Sequence, residues 1–216
     1  MTYSRANPSP RYRSLIEMYR DLHENGERQL VLPAAKTFDG MSLLAQAARI
    51  RALVERTEAN TLLDYGCGKG TLYELASFRA PDGKSYDGIV DYWDVAGVHC
   101  YDPCYAPYSK VPEGRFDGVI STDVLEHCPE LDVPWIIDEI FAYAERFVYA
   151  NIACYPAKKH LPNGENAHCT IRPVQWWESL LREASSRRPN LTWEVWVEFD
   201  EETTDGLKRR QQAIRG

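Results

Sequence analysis

Four residues in two stretches of this chain could share a proton or a metal ion. Asp123, Glu126 and His127 lie in the run Thr122-Asp123-Val124-Leu125-Glu126-His127, and His168 lies in a later polar segment. Read as a turn of helix, 122–128 puts the first three at i, i+3 and i+4, on one face. The segment 154–172 adds His160, Asn163, Glu165, Asn166, His168 and Arg172. Two chemistries fit this set. Either His127 or His168 acts as a general base on a hydroxyl, since neutral imidazole near pH 7 suits that task. Or Asp123, Glu126, His127 and His168 hold a divalent metal that orients and acidifies the hydroxyl. Two imidazoles with carboxylates favour Mn, Fe, Co or Zn over Mg. The bland alternative is a set of structural histidines.

A second constellation reads as a nucleotide-type site. Thr61-Leu62-Leu63-Asp64-Tyr65 is a short apolar run, and Gly66-Cys67-Gly68-Lys69-Gly70 packs three glycines into five positions. The following 71–79 reads as a helix whose first turn offers free N–H groups. Glycines allow the tight turn and the close backbone approach a ligand needs. The spacing is not the dinucleotide fingerprint G-x-G-x-x-G, which speaks against a nucleotide-dependent dehydrogenase. Further on, Gly97-Val98-His99-Cys100-Tyr101-Asp102-Pro103 reads as a strand ending in an acid that could accept ribose hydroxyls. Asp87 and Asp91 compete for that role, because Asp102 lies further from the glycines than is usual.

Together, LLDYGCGKG and the later FDGVISTDVLEH resemble the first- and fourth-strand motifs of class I S-adenosylmethionine (SAM) dependent methyltransferases. The resemblance implies a Rossmann-like α/β sheet with helices on both faces. It places Asp64 near the cofactor's amino group and Gly66, Cys67 and Gly68 along its methionine part. It also implies Asp102 and Pro103 on the ribose side, and Thr122 and Asp123 at the rim after the fourth strand. The D-x-x-E-H … H set is similar to the E-x-x-E-H … H metal site of small-RNA 3′-terminal 2′-O-methyltransferases, with Asp in place of the first Glu. The expected reaction is methyl transfer to a small polar acceptor, at a hydroxyl. A SAM-binding regulator without catalysis is the alternative, and the polar rim argues against it.

The elements that would carry these residues follow from apolar periodicity. Helices are expected at 11–24, 42–56, 71–79, 132–146 and 173–184, with strands at 61–65, 97–102, 116–121, 147–153 and 193–199. The turn-rich 80–96, with Pro81-Asp82-Gly83, reads as an insertion. Only thirteen residues separate Asp102 from Phe116, too few for a helix and a full third strand, so that region is shortened. Residues 1–58 read as an N-terminal helical lid segment, 59–200 as the SAM-binding domain, and 201–216 as a charged tail that frays.

Composition narrows the class. At 216 residues the chain can bury a proper core. Lys and Arg number 25 against 32 Asp and Glu, a net charge of −7, which speaks against a nucleic-acid surface. The six cysteines form no C-x-x-C pair, and no apolar stretch approaches a membrane span or a signal peptide. A reduced, cytoplasmic protein acting on a small molecule is the expectation.

Overall fold

The computed structural model describes residues 3–80, 83–204 and 206–216; the expected turn at Pro81-Asp82 lies outside them. Its centre is a six-stranded sheet in the order β4-β1-β5-β6-β7-β8. The strands are β1 Thr61–Tyr65, β4 Gly97–Tyr101, β5 Phe116–Thr122, β6 Ala144–Cys154, β7 Thr192–Thr203 and β8 Gly206–Arg215. The first five of these run parallel and β8 alone is antiparallel. A separate two-stranded ladder pairs β2 Phe78–Arg79 with β3 Ser85–Tyr86.

Because side chains alternate across a strand, each parallel strand feeds two cores. Leu63, Val119, Val148 and Val195 face α4 Val133–Tyr143 and α5 Val174–Ser186, meeting Ile136, Ile140, Trp177 and Leu181. Leu62, Ile120, Phe147 and Tyr149 face the other way, onto Ile50 and Leu53 of α2 Ala47–Thr57 and Ile89 and Trp93 of α3 Gly88–Trp93. This is the Rossmann-like α/β sheet with helices on both faces. Near-continuous burial of β5 and β6 fits strands covered on both sides. The helix α1 Pro10–Asn25 starts at Ser9, whose side chain caps Tyr12 N–H, and ends at Gly26. Its Leu15, Tyr19 and Leu22 form a third cluster with Cys104, Leu161 and Ala167, so it lies over the carboxyl ends of the strands. Among the described residues no helix is long and apolar enough to cross a membrane.

Several expectations fail for local reasons. The helix expected at 71–79 is a single 3-10 turn, Thr71–Glu74, because the chain then extends at Leu75 and enters the β2–β3 ladder. The helix at 42–56 begins as a 3-10 turn, Met41–Gln46, before α2. Between Tyr101 and Phe116 only the 3-10 turn Ala106–Tyr108 intervenes, in keeping with the shortened third-strand region. The expected fraying tail is instead β8, paired with β7 along its whole length. Its charges face partners across the ladder: Arg209 meets Asp200, Arg210 meets Glu201 and Arg215 meets Glu194. Cross-strand pairing of opposite charges supports an edge strand that its polar composition alone would leave in solvent.

Candidate active site

The glycine loop is shaped by three left-handed backbones, at Gly66, Gly68 and Gly70. A Cβ on Gly68 would stand 2.3 Å from the Phe38 carbonyl, and one on Gly66 would stand 2.4 Å from Val124 Cγ2. The loop therefore runs in direct contact with the 37–40 segment on one side and the turn after β5 on the other. Its amides are already used. Gly66 and Cys67 donate to Tyr101 O at 2.7 and 3.1 Å, and Lys69 donates to Phe38 O at 2.7 Å. In the turn that follows, Thr71 N–H donates to Asp39 O and Tyr73 N–H to Gly70 O, so these amides are not free as a helix start would leave them.

Two carboxylates flank this loop. Asp64, near the end of β1, is buried; its Oδ2 accepts the Tyr73 hydroxyl at 2.8 Å and its Oδ1 has no partner. Burial raises its pKa to about 7, against the pull of the Tyr73 hydrogen bond. Asp102 directly follows β4, accepting Gly68 N–H at 3.0 Å and Cys104 N–H at 2.8 Å. Burial outweighs those bonds and raises it to about 6. Asp87 lies between β3 and α3, where its N–H bonds the carboxylate of Asp91 on α3, so neither acid follows a strand of the central sheet.

Two cavities meet over this loop. The inner one, about 110 Å³, lies under α1 and reaches Asp102, Pro103 and Cys104. The outer cleft, about 610 Å³, reaches Asp64, Cys67 and Thr122, then Tyr155, Lys159 and His168. Gly66, Gly68, Asp123, His127 and Phe38 border both.

The rim departs from the helical reading. Asp123 adopts φ +54°, and only Leu125–His127 forms a 3-10 turn. A left-handed Asp breaks the helical register, so Asp123 leaves the face it was expected to share. Its Oδ1 accepts the Asn151 amide at 2.6 Å. Glu126, His127 and His168 do converge, with their ligand atoms all within 4.8 Å of one another; Asp123 stands outside the set. Glu126 is fully buried, accepting Ala153 N–H at 2.9 Å through Oε1, while Oε2 has no partner. Burial, reinforced by Asp123, pushes its pKa well above the carboxylate range.

Both imidazoles are oriented by backbone carbonyls. His127 Nδ1 lies 3.0 Å from Ala167 O and 2.8 Å from the Tyr19 hydroxyl, which itself donates to Ala167 O at 2.6 Å. His168 Nδ1 lies 2.5 Å from Tyr155 O. A carbonyl only accepts, so Nδ1 of each ring carries the proton and Nε2 presents its lone pair. The two rings stand 4.7 Å apart and nearly perpendicular. Desolvation lowers His127 to about 3 and also lowers His168.

The remaining loop candidates have other partners. Asn166 bonds Ala157 at both its N–H and its carbonyl, Asn163 accepts Glu165 N–H, Glu165 pairs with Arg11, and Arg172 pairs with Glu130. His160 forms a backbone bridge with Asn166, while its buried Nδ1 has no partner. Sequence reasoning missed Tyr19, Phe38 and Tyr73, which act across the fold. Tyr73 alone had a local cue, an aromatic just past the glycines.

A family model for a methyltransferase domain matches residues 39–200. Among curated proteins, phosphatidylserine lipase ABHD16A of Rattus norvegicus is 29% identical over 113 residues, 51% of this chain. The chain spans 19% of that protein's length. A serine-lipase G-x-S-x-G elbow does not occur in this sequence. Among solved structures, the DhpI-SAH complex aligns with 94% of this chain and 78% of its own, at 13% identity and a TM-score of 0.32.

Proposed function

The chain belongs to the methyltransferase-domain family, a SAM-dependent methyltransferase, and from that premise we propose that it methylates a hydroxyl of a small polar acceptor with a divalent ion held by Glu126, His127 and His168. One observation carries the metal: Glu126, which keeps one buried carboxylate oxygen without a partner, gathers with His127 and His168 so that one ligand atom of each lies within 4.8 Å of the others. A buried unpaired carboxylate is costly, and a cation is what this donor set lacks. Carbonyl-bonded Nδ1–H groups are the usual support for ligating histidines. Nitrogen and oxygen donors in this mix favour Mn, Fe, Co or Zn. Such an ion, when bound, lowers the pKa of a hydroxyl it contacts. The general-base reading is weaker for His127, which near pKa 3 takes up a proton poorly at neutral pH, and desolvation lowers His168 in the same direction.

The protein's own groups do the rest by placement. Asp64, with one free oxygen, receives the cofactor's ammonium. Gly66, Cys67 and Gly68 run beside its methionine part, and Asp102 and Pro103 border its ribose. Asp102 keeps lone pairs for a hydroxyl, since a carboxylate has about four acceptor sites. The acceptor enters by the outer cleft past Thr122 and Asp123, so that its oxygen and the sulfonium methyl lie in line. SAM is already activated, and positioning supplies most of the remaining rate. Residues 1–58 close over the cofactor through α1. The excess of acidic residues favours a small molecule over nucleic acid, and six free cysteines fit a reducing cytoplasm.

The test is a calorimetric titration of chelator-treated protein with S-adenosylhomocysteine (SAH) and, separately, with Mn. Both should bind. Glu126→Gln should abolish the Mn heat and keep SAH affinity within about threefold, because one oxygen becomes an amide without moving the glycine loop. Mn binding that survives Glu126→Gln would remove the metal site from the mechanism, and absence of SAH binding would remove the cofactor reading.

A further inference from the structure

The outer cleft contains a cation that, among the described residues, no ion pair holds directly. Lys159, on the loop after β6, lines this cleft together with Asp64. Its ammonium stands 4.6 Å from the centre of the Phe38 ring. It is half-buried, and among the described residues it makes no ion pair, although Asp39, Asp123 and Glu27 act on it at longer range. The neighbouring cations are spoken for. Lys69 Nζ donates to His23 O and Thr37 O, and Arg209 pairs with Asp200. Lys158 is exposed. Contact with a ring face leaves the three N–H donors of Lys159 available to an anion.

We propose that Lys159 holds the carboxylate at the amino-acid end of the cofactor, opposite Asp64, which takes the ammonium of the same group. This rests on the SAM reading above. A buried carboxylate oxygen without a donor and a half-buried ammonium without an acceptor, in one cleft, form the complement of a zwitterionic amino acid. The placement of Phe38 supports the assignment. Its carbonyl accepts Lys69 N–H and occupies the space that Gly68 leaves open, so a cation on its ring stands beside the glycine loop. Desolvation lowers the pKa of Lys159, and a desolvated ammonium gains more from a carboxylate than an exposed one does.

The assignment predicts which part of the ligand each side of the pair reads. SAH carries the amino-acid end, 5′-methylthioadenosine lacks all of it, and decarboxylated SAH keeps only the ammonium. Lys159→Met should weaken SAH about tenfold, the order of one charge-assisted hydrogen bond. The same substitution should leave methylthioadenosine and decarboxylated SAH within about twofold of wild type. Wild-type protein should itself bind decarboxylated SAH about tenfold more weakly than SAH, a readout that needs no variant to fold. Lys159→Arg should recover part of the loss. Equal weakening of all three ligands, or none, with SAH still bound by wild type, overturns the Lys159 assignment alone; the second result would send Lys159 to an anionic acceptor or to solvent. No SAH binding by wild type removes the cofactor reading and this inference with it.

Discussion

The two halves of the site are built by different means. On the cofactor half, parts close in sequence or adjacent in the sheet fix one another. Leu63 and Asp64 pair with His99 and Cys100 in register, Tyr101 O accepts two loop amides, and Asp102 accepts a third. On the rim, almost every support is remote. Tyr19 of α1 meets His127, and the Glu126 carbonyl accepts the amides of Cys169 and Thr170. The cofactor half is therefore built mainly by a strand–loop–strand unit, with the 37–40 segment as a distant support through Phe38 O and Asp39 O. The rim exists only when α1, the β5 turn and the 154–172 loop are all in place. Chemistry that must vary with substrate sits on the half assembled from separate pieces, as binding loops on a rigid scaffold commonly do.

The sharpest way to break the cofactor half is Gly68→Ala. The left-handed backbone costs any side chain about 1 kcal/mol, and the new Cβ meets a backbone carbonyl at 2.3 Å. The 37–40 segment has to move. Stability should fall by about 2–3 kcal/mol in denaturant titration, and SAH binding should be lost. If binding survives, the loop is more pliant than the rim, and the contrast between the halves is reversed.

That contrast also explains what could be read from sequence. The glycine loop, β5 and the acid after β4 carry local signals: fixed spacing, apolar runs and a strand-terminal carboxylate. The rim carries His127 and His168 as residue types, but its geometry depends on contacts that no short window contains. Tyr19 lies 108 positions from the histidine it meets. Helical spacing suggested Asp123 as a ligand, yet a single positive φ at that residue turned it toward Asn151. The charged C-terminal segment misled in the same way, since its strand partner β7 precedes it and the ion pairs form only between them.

A smaller effect, again on the cofactor half, comes through pH. Asp64 has a folded pKa of about 7 against 3.8 for the free group. The folded ligand-free protein thus holds a proton that the unfolded chain releases, and the stability this contributes is lost as pH rises from about 4 to about 7. Asp102, at about 6, adds to the same slope. Denaturant midpoints should decline across this window, and Asp64→Asn should flatten the decline. A cofactor ammonium favours the carboxylate, so SAH binding near pH 6 should release a proton, seen as heat that depends on the buffer's ionisation enthalpy. Asp64→Asn should reduce that dependence to the share left by Asp102 and weaken SAH by about 1–3 kcal/mol. A buffer-independent heat in wild type would mean that the ammonium is held elsewhere.

The smallest expected change tests the rim, with Tyr19→Phe. The hydroxyl donates to Ala167 O and accepts from His127 Nδ1–H, yet Ala167 O keeps its bond from His127 when the hydroxyl is removed. The ring also packs edge-on against Phe38 and His127, and phenylalanine preserves those contacts. Stability should therefore fall by only about 1 kcal/mol, one neutral hydrogen bond. SAH affinity should not change. Mn affinity should fall about tenfold, the usual cost of losing a group that orients a ligating histidine. The ratio of the two effects is the informative quantity. A metal response larger than the stability response means that α1 aims His127 rather than merely covering it. Equal responses would reduce Tyr19 to packing, and the rim would then owe its geometry to the 154–172 loop alone.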